Sequence, residues 1–108
     1  MTVSTQRMEL ALNFLAETDA QCAELRANHA RAEYMAKSVR NTNFAAADGT
    51  VADRNAAAEN SPEYEEAKLA EFQAFQEYEA MKNKRATESI VIDVWRSLNS
   101  ARNKGQIV

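Results

Sequence analysis

Apolar and small residues recur at alternating three- and four-residue spacing through the first half of the chain. The series runs for more than five heptads through Met8, Ala11, Leu15, Thr18, Cys22, Leu25, His29, Ala32, Ala36, Val39, Asn43 and Ala46. This spacing puts all of these side chains on one face of an α-helix and is typical of a seam for a single partner helix. Because most of the positions hold small residues, the pattern predicts a partner helix that approaches closely. Leu15, Leu25 and Val39 are expected to supply most of the apolar volume.

The second half of the chain carries two apolar stripes. One comprises Tyr64, Ala67, Ala74, Tyr78 and Met81 and, after a drift in phase, Val91, Val94, Leu98 and Ala101. The other lies roughly opposite and comprises Leu69, Phe72, Phe75, Ile92 and Trp95. One partner helix cannot cover both stripes. The second stripe is therefore expected to meet either a short middle helix or another protein chain, and we take these five residues as the candidate partner interface.

Capping residues divide the chain into three helices. Gly49 is the natural left-handed residue after the first helix, Thr50 and Asp53 have the spacing of a capping box, and Ser61-Pro62 is a second start signal. The predicted helices cover residues of about 5–47, 51–59 and 62–103. Since the two long segments have matching lengths, we expect one all-α domain over 1–108: a long antiparallel, coiled-coil-like helical hairpin with a short middle helix.

Composition adds an expectation of self-association. The hydrophobic share is 45% of 108 residues, but alanine makes up much of it and removes little area from water. Two paired rods of helix also bury less area per residue than a sphere, so pairing of copies would add stability. No apolar run reaches the roughly 18 residues of a membrane span, and the N-terminus lacks the order of a signal peptide. These features favour a cytoplasmic protein that does not enter membranes.

The residue types of a catalytic or metal site are scarce. The chain has one His and one Cys, and it has no glycine-rich loop. Both His29 and Cys22 fall on the first seam, where each is interpreted as a packed core residue; Cys22 lies two turns from His29, too far for a shared tetrahedral ion. The carboxylates of the last helix are interpreted as a solvated face, with mimicry of a phosphate backbone as the alternative. We expect no enzyme activity, no cofactor and no metal.

Charge is polarised along the last helix although the net charge is only -3. Residues 59–79 hold seven acidic side chains against Lys68, and residues 82–104 hold six basic side chains against Glu88 and Asp93. The first interpretation is that these charges complement the helix dipole and pair with the opposite charges of a second, antiparallel chain. The alternative is nucleic-acid contact through the six cations, with Trp95 or Tyr78 available for stacking. These cations are Lys82, Lys84, Arg85, Arg96, Arg102 and Lys104.

Two segments resemble small helical proteins encoded by bacteriophages and prophages, often near recombination or replication genes. They are GTVADRNAAAENS at 49–61, ahead of Glu63-Tyr64, and KRATESIVIDVWRSLNSAR at 84–102. The resemblance covers about half of the chain and contains no catalytic motif. It implies a phage origin and a bacterial cytoplasm, and it transfers no residue roles.

These observations lead to three hypotheses. The first is a non-enzymatic, self-associating interaction protein of phage origin that binds and modulates, most simply inhibits, a host defence or nucleic-acid-processing enzyme. The second is a DNA-binding accessory of phage recombination or replication that uses the basic end. The third is a structural component of the virion.

Overall fold

The computed structural model describes residues 2–105, which form three helices and no strand. Helix α1 spans Thr5–Ala46, α2 spans Val51–Glu59 and α3 spans Pro62–Asn103. The two long helices pack against each other. The prediction of an all-α helical hairpin with a short middle helix is confirmed.

Local hydrogen bonds explain where the helices begin. The backbone N–H of Arg7 donates to Ser4 Oγ at 3.1 Å and starts α1. The capping box of α2 is complete, because the Asp53 N–H donates to Thr50 Oγ1 at 3.1 Å and the Thr50 N–H donates to Asp53 Oδ2 at 3.2 Å. Ser61 Oγ accepts from the Tyr64 N–H at 3.2 Å and caps α3. Each cap satisfies a backbone donor that a helix start leaves unpaired.

Contacts divide the chain into two compact units. Unit 1 combines the residues up to Cys22 with those from Ala80 onward, and unit 2 comprises Ala23–Glu79. In unit 1 the start of α1 pairs with the end of α3, as the ion pair of Arg7 with Glu88 at 2.7 Å shows. In unit 2 the remainder of α1 pairs with α2 and the first half of α3. Unit 1 therefore joins stretches that are distant in sequence, whereas unit 2 is one continuous stretch that folds back on itself.

Unit 1 has a small apolar core. Its buried residues are Val3, Met8, Ala11 and Val91, and Ile92, Val94 and Trp95 pack against them while remaining partly exposed. Met8, Ala11 and Val91 belong to the stripes that the spacing predicted, so the periodicity located this core. Trp95 also donates from Nε1 to Thr5 Oγ1 at 3.2 Å, which ties α3 to the start of α1.

Few apolar side chains of unit 2 are fully buried. Among its described residues only Ala36 and Ala58 are buried apolar side chains. Arg40 attaches α2 to α1 by donating to Asn55 Oδ1 at 2.9 Å and to Glu59 Oε1 at 3.1 Å. Nearby, Asn43 Nδ2 donates to Ser61 Oγ at 2.7 Å. Hydrogen bonds and an ion pair thus join the short helix to α1.

The α1 seam faces the interior of the pairing along almost its whole length. All of its twelve positions are buried or partly buried except the last, Ala46, which is exposed. Leu25, expected to be a main contributor of apolar volume, is only partly buried. No helix within residues 2–105 combines the length and apolarity needed to cross a membrane.

Candidate interaction surfaces

Three large apolar side chains of α3 project from unit 2 into solvent. Leu69 is 61% exposed, Phe72 58% and Phe75 48%. Their spacing of three residues places them along one side of the helix, turning slowly about its axis. We call this set the α3 apolar patch. Such side chains remain in water only at a free-energy cost, so a row of them is a candidate surface for a partner.

A groove beside the α3 apolar patch combines apolar and acidic side chains. It lies where α2 ends and α3 begins, has a volume of about 340 Å³ and is lined by Glu59, Asn60, Ser61, Tyr64, Glu65, Lys68, Leu69 and Phe72. Lys68 lies 5.1 Å above the Phe72 ring and 2.7 Å from Glu71 Oε2. The Lys68 charge is thus neutralised within the unit, whereas Glu65 is exposed. A partner that binds here would contact apolar side chains bordered by negatively charged ones.

The other two predicted interface residues belong to unit 1. Ile92 and Trp95 are partly buried against its core, and the indole N–H of Trp95 is engaged by Thr5. They do not lie with Leu69, Phe72 and Phe75 in one compact unit. All five residues share one helical stripe. Spacing alone does not show that the end of the stripe with Ile92 and Trp95 is covered while the end with Leu69, Phe72 and Phe75 is exposed.

Of the six predicted nucleic-acid contacts, Arg85 is already bound by other residues of the same chain. Its Nη1 donates to the Leu15 carbonyl oxygen and to Thr18 Oγ1, both at 2.7 Å, and its Nη2 lies 3.4 Å from Asp19 Oδ1. The Arg85 side chain is 21% exposed. A guanidinium held by a carbonyl, a hydroxyl and a carboxylate is poorly placed to contact phosphate.

The other five cations are exposed on unit 1. Lys84 Nζ lies 5.2 Å above the Phe14 ring, and Arg96 makes a loose pair with Asp93 at 3.6 Å. A shallow depression near the end of α3 is lined by Arg96, Ser97, Ser100, Ala101 and Lys104. Arg102 lines a second depression with the start of α1, and Lys82 is exposed on α3. Two cations separated by hydroxyls are suited to an anionic ligand.

A histidine–carboxylate cluster in unit 2 was not foreseen from sequence. The ligating atoms of His29, Glu33 and Glu71 all lie within 4.8 Å of one another, and the imidazole meets the Phe75 ring edge-on at 5.2 Å. His29 and Glu33 are one turn apart, which sequence could have revealed. Glu71 enters the cluster only through the register of α3 against α1, which sequence did not specify.

The chemistry of this cluster favours an internal charge network over a cation site. The Lys68 ammonium already lies 2.7 Å from Glu71 Oε2, and this hydrogen bond is the main reason that the pKa of Lys68 is raised above its usual value. A divalent ion bound here would be repelled by that ammonium. Lys68 instead supplies the positive charge that the two carboxylates need.

Unit 2 also contains a groove floored by alanine. It is lined by Ala32, Met35, Val39, Glu63, Glu66, Ala67 and Ala70, encloses about 430 Å³ and is mostly apolar. Met35 is 56% exposed. Ala70 and Phe72 are two residues apart, so helix geometry separates their directions by about 160°. This alanine groove and the α3 apolar patch are therefore distinct surfaces.

Comparisons with protein-family models, with curated proteins and with solved structures found no match to this chain.

Proposed function

We propose that this chain is a non-enzymatic interaction protein of bacteriophage origin that acts in the cytoplasm of its bacterial host. It binds a host defence or nucleic-acid-processing enzyme through the α3 apolar patch and modulates that enzyme, most simply by inhibition. The phage origin rests on the resemblance of residues 49–61 and 84–102 to phage-encoded helical proteins.

The observation that carries this proposal is the exposure of the α3 apolar patch. Leu69, Phe72 and Phe75 are each about half exposed or more, although unit 2 buries only alanines among its described apolar residues. Aromatic side chains on a helix face are the usual anchors of a protein interface. The acidic residue Glu65, exposed in the groove that Leu69 and Phe72 also line, would favour a partner with a basic surface.

The test begins with capture of partners from a bacterial lysate on the tagged protein, with and without nuclease. We expect one enzyme to be retained in both conditions, and the purified enzyme to lose activity when the protein is added. Phe72→Ser should weaken this binding at least about tenfold, since aromatic anchors often contribute 2 kcal/mol or more.

Ile90→Ser is the matched control for that variant. Ile90 is 57% exposed and Phe72 is 58% exposed, but Ile90 belongs to unit 1 and is not part of the patch. Binding should therefore be unaffected by Ile90→Ser. Equal binding by wild type and Phe72→Ser would show that the α3 apolar patch is not the contact surface.

Self-association is part of the same proposal. Large apolar side chains are exposed in both units, including Leu10 and Ile90 in unit 1 and Met35 in unit 2. Pairing of copies would remove part of this surface from water. Sedimentation of the purified protein gives the mass directly, and very large assemblies formed without a partner would instead favour the virion-component hypothesis.

A second candidate function is binding of DNA as an accessory of recombination or replication. It is favoured by the depression in unit 1 that Arg96 and Lys104 share with two serines. Phosphate contacts would make affinity fall steeply with salt. Charge reversal of Arg96 and Lys104 should then abolish binding to a single-stranded oligonucleotide, whereas Arg26→Glu in unit 2 should not. Affinity that is independent of salt would exclude this function.

A further inference from the structure

Glu65 carries the uncompensated charge of the groove beside the α3 apolar patch. Glu59, the other carboxylate of this groove, lies 3.1 Å from Arg40 Nη2. Lys68, which also lines it, lies 2.7 Å from Glu71 Oε2. Within residues 2–105 no Lys or Arg forms an ion pair with the exposed Glu65. Its negative charge is therefore available to a partner.

Aromatic rings line the same groove as this carboxylate. Tyr64 and Phe72 contribute the rings, and Phe72 already has a cation near its face, since Lys68 Nζ lies 5.1 Å from the ring centre. An arginine guanidinium is planar, binds a carboxylate through two parallel hydrogen bonds and stacks on aromatic rings, whereas a lysine ammonium is a compact point charge. The groove thus combines the two kinds of group that suit an arginine side chain.

The apolar patch continues from this groove along α3. Glu65, Leu69 and Phe72 follow one another at four- and three-residue spacing, which places them on one side of the helix, and all three line the groove. Phe75 lies about one turn further along. A partner would therefore meet a carboxylate and then three large apolar side chains over about 15 Å of helix.

This arrangement favours a helix as the partner element. The described residues contain no strand, so they offer no sheet edge to an extended segment, and side chains must make the contact. Anchors spaced by three and four residues on one helix are matched by the corresponding positions of a second, amphipathic helix.

We infer that the α3 apolar patch and the groove beside it bind an amphipathic helix of the partner enzyme, with one arginine of that helix pairing with Glu65. Apolar residues on the same face of the partner helix cover Leu69, Phe72 and Phe75. This inference rests on the proposed function and specifies the partner of the same surface. An arginine beside apolar anchors also agrees with the enrichment of arginine at the centres of protein interfaces.

Binding of a designed peptide tests the inference. The probe is a fluorescein-labelled, alanine-based peptide of about 18 residues, long enough to form a helix in water. It carries three leucines on one face and one arginine a turn before them, or a turn after them in a second version, so that parallel and antiparallel pairing are both covered. Fluorescence anisotropy should show binding that weakens at least about tenfold when the arginine is replaced by glutamine.

Charge reversal on the protein identifies the residue that the arginine contacts. Glu65→Arg should weaken binding of the arginine peptide at least about tenfold and should bind a peptide with glutamate at that position instead. Glu63→Arg is the matched control and should bind the arginine peptide as wild type does. Glu63 is likewise exposed in the first turn of α3, but it points about 160° away from Glu65 and lines the alanine groove. Circular dichroism verifies that each variant is helical.

The outcomes separate this inference from the proposed function. Equal binding of the arginine and glutamine peptides, or binding of neither, would overturn the inference. An enzyme captured from the lysate that is lost in Phe72→Ser but retained by Glu65→Arg would overturn it while the proposed function stands. Capture unaffected by Phe72→Ser would contradict both. A wild-type dimer that Phe72→Ser converts to a monomer would show that a second copy covers the patch, and this too would overturn the inference.

Discussion

The Arg85 guanidinium lies 2.7 Å from the backbone carbonyl oxygen of Leu15, a contact that joins α3 to α1 across 70 positions of sequence. The same nitrogen donates to Thr18 Oγ1 at 2.7 Å, and Thr18 Oγ1 in turn donates to the Phe14 carbonyl at 2.7 Å. A cation thus serves as a crosslink between α3 and α1 within unit 1.

Replacing Arg85 by Met should destabilise the protein. The change removes a charge-assisted hydrogen bond and leaves a partly buried carbonyl and hydroxyl without this donor, at a cost of about 1.5–3 kcal/mol. Urea unfolding followed by circular dichroism measures the difference. Arg96→Met is the control, because Arg96 is 72% exposed and exposed pairs contribute about 1 kcal/mol or less. Similar losses for both variants would contradict a crosslinking role for Arg85.

Trp95 should behave as a stability residue and Phe72 should not. Trp95 packs against the core of unit 1 and donates to Thr5 Oγ1, so Trp95→Ala should cost about 2 kcal/mol, less than the 3–5 kcal/mol of a fully buried aromatic. Phe72→Ala should stay within about 0.5 kcal/mol, as exposed positions generally do. Thermal and urea unfolding of the two variants provide the comparison, and a neutral Trp95→Ala would instead favour Trp95 as a partner contact.

The helical hairpin could be predicted because its signals are local. Caps at Thr50 and Ser61 and the left-handed Gly49 are read directly from residue types, and the observed helices begin and end within a residue of the predicted positions. The seam of α1 was likewise predictable, since its small and apolar residues recur at helical spacing and eleven of twelve positions are at least partly covered.

The candidate surfaces were only partly predictable because they depend on register between helices. Phe72 and Trp95 share a helical stripe, yet one is exposed in unit 2 and the other packs in unit 1. Its charge made Arg85 a candidate nucleic-acid contact, and only its placement opposite Leu15 shows its internal role. The cluster of His29 with Glu71 likewise depends on the register of α3 against α1. The apolar periodicity within each helix does not show which residue of α3 lies opposite a given residue of α1.

Gly49 should tolerate no side chain. Its φ is +107°, a conformation that L-residues rarely adopt, and a Cβ there would lie 2.9 Å from Asp53 Oδ2. Gly49→Ala should therefore cost about 1–3 kcal/mol through backbone strain and should weaken the capping box of α2. Gly105→Ala is the control, because Gly105 also has positive φ but has nothing within 4 Å of its Cβ. Equal effects in thermal unfolding would show that the contact with Asp53 adds nothing.

The ion pair of Lys68 with Glu71 should make unit 2 sensitive to alkaline pH. The hydrogen bond that Lys68 donates to Glu71 raises the pKa of Lys68 above its usual 10.5 in the folded state. A raised pKa means that the folded protein binds the proton more tightly than the unfolded chain, so the stabilisation is complete below about pH 10.5 and is lost as pH rises through the folded pKa. The stability difference between wild type and Lys68→Met should therefore be constant from neutral pH to about pH 10 and should shrink above it.

Urea unfolding at a series of pH values measures that difference, and Lys37→Met provides the control. Lys37 pairs with Glu33 at 3.6 Å, but its side chain is 73% exposed, so solvent screens the pair and its removal should change stability little at any pH. Lys68 differs because Glu71 is only 14% exposed and depends on that ammonium for compensation. A Lys68→Met deficit that persists undiminished at strongly alkaline pH would mean that the Lys68 alkyl chain, packed near Phe72, stabilises unit 2 and the charge does not.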